Sequence, residues 1–158
     1  MDGVGTVQVI DHQRAVDLGG WPRRLEAWGA AAWAAAWRVR GAAAAPLGRL
    51  EAVDVALVDD AAIAATHGRF LGDPAPTDVL TFDHGEILIG VETAVRQARE
   101  FGEPLGRELL RYLVHGLLHL AGHDDCDAAG RERMEREQER IVAELWGQGG
   151  DAGTHRDR

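Results

Sequence analysis

The chain has 158 residues, 46% of them hydrophobic, with 17 basic against 26 acidic side chains, a net charge of −9 and one cysteine. That length suits a single domain with a core of its own, and the lone Cys126 rules out an internal disulfide or a cysteine-rich zinc cluster and fits a reducing cytoplasm. The acidic balance argues against indiscriminate adhesion to nucleic acid, whose nonspecific affinity comes from neutralised phosphates, while leaving room for a local basic groove.

The opening MDGVGTVQVIDH lacks the basic start and apolar stretch of a secretory signal, and residues 4–10 read as a first strand. Pro22 stands at a helix N1 position, and WPRRLEAWGAAAWAAAWRVRG reads as an Ala-rich helix ending at Gly41. Its uncharged run, 27–37, is about half of the ~20 residues that a membrane helix needs, so a soluble chain is expected. Trp21, Trp28, Trp33 and Trp37, large rings on a small-residue helix, are expected to fill core volume. EAVDVALVDD alternates Val53, Val55 and Leu57 against Asp54 and Ala56, the period of a half-buried strand. Asp59 or Asp60 then caps a short helix to about Thr66, and a loop with Gly72, Pro74 and Pro76 leads into TDVLTF. Asp83-His84-Gly85 has hairpin-turn chemistry before EILIG, so two adjacent antiparallel strands follow.

Val91, Ala94, Val95, Ala98 and Phe101 recur at helical spacing up to the stop at Gly102. PLGRELLRYLVHGLLHLAG is apolar nearly all round in its second half, the mark of a helix buried at the domain centre. A last helix spans about Ala128 to Trp146, and residues 147–158, without apolar content, read as a disordered tail. The expected fold is α+β: a small mixed sheet of about four strands packed with about five helices, formed by residues 1–146 as one domain.

Residues 115–127, HGLLHLAGHDDCD, hold three of the seven histidines and three aspartates. His115 and His119, four apart on the buried helix, leave the same face with Cβ atoms about 5–6 Å apart, a bite that one metal ion accepts. Imidazoles buried among leucines find few polar partners nearby in sequence, and a shared ion would satisfy both. Gly122 can end the helix in the left-handed conformation and turn the chain back toward its last turns. Asp125, six residues past His119, is the favoured third ligand and His123 the alternative, both being acceptable to zinc. Asp124 is read as facing solvent or orienting a ligand imidazole, Asp127 as a helix N-cap, and Cys126 ranks last as a ligand. Three protein ligands would leave a fourth position for water, the arrangement of catalytic zinc, and so imply a hydrolase. Helical zinc peptidases carry a glutamate general base directly after the first histidine. Gly116 stands there, which weakens a peptidase reading.

HGLLHLAGHDD at 115–125, PTDVLTF at 76–82 and the following GEILIG, in that order and spacing, resemble the YbeY family of bacterial metal-dependent endoribonucleases. The resemblance spans residues 4–146. It implies an α+β fold, one zinc ion on the helix, a cytoplasmic location, and cleavage of single-stranded RNA near the 3′ end of small-subunit rRNA, with a further role in ribosome quality control. RNA, the small ribosomal subunit and ribosomal proteins are the implied partners, with neither DNA nor a membrane among them. The family's first two ligands fall on His115 and His119, and its third, most often histidine, falls on Asp125. A second departure is that His67 stands where many members have asparagine, and Leu71 where they have an arginine suited to gripping phosphate. Arg69 is a nearby candidate to substitute for it, although a solvated loop charge is the favoured reading of that residue. Asp78, and behind it Glu86, are candidate acid or base groups at strand edges, although Asp78 can equally cap the turn after Pro76 and a solvent-facing strand position is the favoured reading of Glu86. His12 and His84 are read as surface residues and His155 as part of the tail. Two other readings stand beside the nuclease: a small metallopeptidase, and a ribosome-assembly binding protein whose zinc is structural.

Overall fold

A computed structural model describes residues 4–71 and 77–149, without the side chains of Phe70, Leu71 and Gly149. The expected loop at Gly72, Pro74 and Pro76, the side chain at Leu71, and His155 with the rest of 150–158 lie outside the described residues.

In chain order the elements are β1 (Thr6–Asp11), α1 (Trp21–Arg38), a 3-10 turn (Pro46–Arg49), β2 (Ala52–Val58), α2 (Asp60–Leu71), β3 (Val79–Phe82), β4 (Glu86–Gly90), α3 (Val91–Phe101), α4 (Leu105–Leu120) and α5 (Ala128–Gly149). The four strands form one mixed sheet in the order β1-β2-β4-β3, with β1/β2 and β2/β4 parallel and β3/β4 antiparallel. The expected hairpin is the β3/β4 pair. Gly85, at φ 104°, supplies the backbone conformation that its turn needs, and its N–H donates to the Phe82 carbonyl at 2.9 Å. At the other margin, the Val9 N–H of β1 is taken by Glu26 Oε1 of α1 at 2.8 Å.

Strand alternation divides the packing. Val53, Val55, Leu57, Ile87 and Ile89 face the main core with α1, α4 and α5, while Ala56, Val58, Leu80 and Leu88 face a smaller cluster around Ile63 of α2. Gly116 marks how closely α4 lies on the sheet: a Cβ there would sit 2.7 Å from Ile87 Cδ1. Trp21, Trp28 and Trp33 are core residues as expected, and Trp21, Trp28 and Trp146 form a ring cluster with centroids 5.8–6.4 Å apart. Trp37 is half-buried beneath the Arg40 guanidinium, 4.6 Å from the ring centroid.

Three boundaries differ from expectation. Helix α1 ends at Arg38 instead of Gly41, because Gly41 leaves the helical path to donate its N–H to the Ala121 carbonyl at 2.9 Å. Helix α2 starts under an Asp59 cap on the Ala62 N–H (2.8 Å) and runs through Thr66 to Leu71. The Thr66 hydroxyl bonds back to the Ala62 carbonyl at 3.1 Å and so does not compete with the helix. Helix α5 opens on the expected Asp127 cap, whose Oδ1 takes the Gly130 N–H at 2.7 Å, and continues three residues beyond Trp146 into the segment read as tail. Among the described residues no helix is long and apolar enough to cross a membrane.

Candidate functional site

The central helix α4 is wetted along one line only. Leu109, Leu110, Leu113, Val114, Leu117, Leu118 and Leu120 are at most 1% exposed. After Leu105, the only α4 residues not buried are Arg107, Arg111, His115 and His119. Their spacing of four places them on one ridge of the helix, and α5 and the start of β3 flank part of it.

An open cleft of about 390 Å³ lies over this ridge. Asp78, just before β3, and Val79 at its start line it, with Gln97 from α3, Glu108, Arg111, Tyr112 and His115 from α4, Asp125 from the loop, and Arg131, Met134, Glu135 and Gln138 from α5. His115, Asp125 and Asp78 are thus brought to one cleft. His119, exposed one turn on, is not among the described residues that line it. Neither is Arg69, which is carried by α2 on the opposite side of the sheet. Asp78 caps as well as lines, since its Oδ1 accepts from the Val79 N–H at 2.7 Å. Glu86 pairs with Phe82 across the hairpin, four residues along β3 from Asp78, a separation of about 13 Å. It is bonded instead to the exposed His84 at 3.2 Å, as the surface reading of both anticipates.

The two histidines are less buried than the leucine-rich sequence suggests. His119 is exposed, and His115 is half-buried with Nδ1 2.8 Å from Gln138 Oε1. Desolvation therefore does not force them to share an ion, and the case for one rests on the donor types. Among the described residues the buried histidine is His123, 4% exposed, with Nε2 donating to the Val39 carbonyl at 2.7 Å. That bond commits Nε2 to tying the end of α1 to the turn after α4, and His123 is not among the described residues that line the cleft. Gly122 takes the left-handed conformation there (φ 96°), as expected, and the His123 N–H returns to the Leu118 carbonyl at 3.0 Å.

Beyond the turn, Asp124, Asp125, Cys126 and Asp127 are all exposed. Asp124 faces solvent, and hydrogen bonding to Cys126 lowers its carboxyl below the ordinary value while raising the thiol. Two imidazoles and a carboxylate are donors that zinc accepts. Among the described residues, however, no three His, Cys, Asp or Glu side chains stand close enough to hold one ion together. The donor chemistry fits a metal, and His115 and Asp125 share the cleft while His119 does not line it.

The inner wall is a charge network that sequence reading missed. Arg111 donates to Glu103 and Glu108 through Nη1, and to Glu139 through Nε (2.7 Å) and Nη2 (3.0 Å). Glu108 is only 4% exposed, and burial, reinforced by Glu103 alongside, pushes its carboxyl from 4.5 up to about 7 despite the offsetting Arg111 charge. Arg111, held by three carboxylates, is committed to the wall. Arg131 is differently placed: it is exposed, lines the cleft, and its Nη1 reaches only the Asp125 carbonyl, at 3.2 Å, among the described partners.

The signal for the ridge was present as Arg107, Arg111, His115 and His119 at intervals of four. The α5 wall carried no comparable mark, because Arg131 and Gln138 resemble ordinary polar positions of a surface helix.

Known proteins are similar to this chain in sequence and in fold. The model of the endoribonuclease YbeY family matches residues 31–146. A Moorella thermoacetica protein called endoribonuclease YbeY is 46% identical over 110 residues, 58% of this chain and 70% of its own length. Another of that name, from Desulfitobacterium hafniense, is 37% identical over 111 residues, 59% of this chain and 71% of its own. The solution structure of a Thermotoga maritima protein superposes with a TM-score of 0.63 at 25% identity, covering 95% of each chain.

Proposed function

The chain belongs to the YbeY family of endoribonucleases, and from that premise we propose that the cleft over α4 cuts single-stranded RNA in a zinc-dependent reaction. The observation that carries the reading is one opening lined by His115, Asp78, Asp125 and Arg131, an imidazole, two carboxylates and a guanidinium.

Each group has a duty that its position allows. Arg131 meets a non-bridging phosphate oxygen, since Arg111 is already neutralised by Glu103, Glu108 and Glu139. Asp78, exposed at the mouth, is the carboxylate available to accept a proton from the attacking oxygen, water or a ribose 2′-hydroxyl. If the 2′-hydroxyl attacks, RNA is cut and DNA is spared. His115, His119 and Asp125 are the residues that would hold a zinc ion, and the ion would supply a Lewis acid or a water of lowered pKa there. Maturation of the 3′ end of small-subunit rRNA and ribosome quality control in the cytoplasm are the setting we propose, with the small subunit or its proteins as partners.

The two alternatives fare differently. Gly116 faces Ile87 of the sheet, so the position of the peptidase base has no access to the cleft, and no observation favours a peptidase. A purely structural ion is distinguished by experiment. The buried side of α4 is packed by leucines on faces other than the ridge that carries the two imidazoles, so removing the ion should silence cleavage without unfolding the chain. The test compares cleavage of single-stranded RNA and DNA, elemental zinc content and thermal melting for wild type, His115→Ala, His119→Ala and Asp125→Ala, with and without a chelator. Lost zinc and RNA cleavage with a melting point within a few degrees of wild type is the expected result. Undiminished RNA cleavage by His115→Ala after chelation, free of contaminating nuclease, refutes the proposal.

A further inference from the structure

We propose that Gln138 is a positioning residue that holds His115 in its Nδ1-protonated tautomer, leaving the Nε2 lone pair open to the cleft, and that Glu139 and Arg111 dictate the orientation of Gln138.

Arg111 offers only donors. Its Nε and Nη2 reach the two oxygens of Glu139 at 2.7 and 3.0 Å. Burial alone would raise the Glu139 carboxyl, but the carboxyl lies below the ordinary value, the bonds from the Arg111 guanidinium being the largest opposing cause, so Glu139 is an ionised acceptor. The Gln138 atom 3.0 Å from Glu139 Oε2 is therefore the amide NH₂, because a carboxylate can only accept. The amide oxygen is left facing His115 Nδ1 at 2.8 Å, and since oxygen accepts, Nδ1 carries the proton. Turning the amide over would let its NH₂ donate to an unprotonated Nδ1, but it would set the amide oxygen against the Glu139 carboxylate and lose the bond there, so the contact with Glu139 decides the orientation. Each assignment follows from the one before it, starting from a guanidinium that does not lose its charge.

On a neutral imidazole protonated at Nδ1, the free lone pair is on Nε2. Nε2 of His115 has no hydrogen-bond partner among the described residues, and the ring lines the cleft. Either duty of that nitrogen, taking up a proton or coordinating a cation, needs the lone pair there. Gln138 acts through His115 and touches no reacting atom. The inference rests on the reading of His115 as a working group of the cleft. The tautomer is measured without RNA or metal, so it fails or stands separately from that reading.

The experiment records imidazole nitrogen shifts and N–H correlations of the ¹⁵N-labelled, metal-free full chain at a pH where the ring is neutral. The His115 signals are identified by their loss in His115→Gln. Wild type should read as Nδ1–H. Gln138→Met, which removes the acceptor but keeps the side-chain length, should lower the ratio of the Nδ1–H to the Nε2–H form by roughly fivefold or more, the worth of one net hydrogen bond. Gln138→Glu, which still accepts, should retain the wild-type form. An Nε2–H ring in wild type, or an unchanged ratio in Gln138→Met, overturns the proposal. If Gln138→Met does not fold, an Nε2–H ring in wild type or in Gln138→Glu does so.

Discussion

Replacing Glu108 with glutamine should stabilise the chain above neutral pH while changing little in mild acid. The buried carboxyl has its pKa raised from 4.5 to about 7, so the folded state holds this proton more tightly than the unfolded state does. Between those two values the folded chain binds more protons, and its stability falls as pH rises; above 7 the loss is complete. A shift from 4.5 to about 7, at about 1.36 kcal/mol per pH unit, makes the wild type on the order of 3 kcal/mol less stable at pH 8 than this side chain allows in acid. Glutamine keeps the shape and an acceptor for Arg111, which retains Glu103 and Glu139, and it does not titrate. Chemical denaturation of both chains at pH 4.5, 6 and 8, followed by circular dichroism, should show a stability difference that widens through this window and then levels off. At pH 8 the corresponding rise in melting temperature is about 6–12 °C. A difference that stays constant with pH, or a glutamine chain less stable than wild type at pH 8, would show that Arg111 fully compensates the ionised carboxylate and that the burial argument is wrong.

Arg131→Gln should weaken binding of single-stranded RNA and make the dependence of log affinity on log salt shallower by about one unit, the signature of one lost phosphate contact; an unchanged slope on titration at several salt concentrations removes Arg131 from the interface. Gly106→Ala should destabilise the fold, because the new Cβ would lie 2.1 Å from the rigid Trp21 ring. Overpacking costs about 1–3 kcal/mol and outweighs the gain of about 1 kcal/mol from better helix propensity. Thermal melting checks this, and a higher melting temperature would contradict it.

Much of the architecture was legible in the sequence. The alternation of Val53, Val55 and Leu57, the Asp83-His84-Gly85 turn and the Gly102 stop each have a local cause, and each element stands where that cause puts it. Gly102 takes the left-handed conformation (φ 65°) that a helix C-terminus asks for. What escaped were features set by distant partners. Gly41 leaves its helix for Ala121, and His123 is drawn inward by Val39, 84 residues away. Of the candidate site, His115, Asp125 and Asp78 share one cleft, whereas Arg69 is carried by α2 on the other side of the sheet. The leucines around His115 and His119 concealed that both lie on the wetted ridge of α4. Nothing local distinguishes Gln138 from any polar residue of α5, since its importance comes from a ring 23 positions earlier.

The margin of the sheet at β1 has a consequence beyond the cleft. A strand with unsatisfied main-chain donors is a template on which another copy can lay a strand of its own, the first step toward fibrous aggregation. The Val9 N–H lies near the middle of that six-residue margin, and the Glu26 carboxylate already occupies it. An incoming strand would have to displace a charge-assisted bond and bring its own backbone carbonyls against that carboxylate. One helix side chain thereby guards the sheet against templated growth.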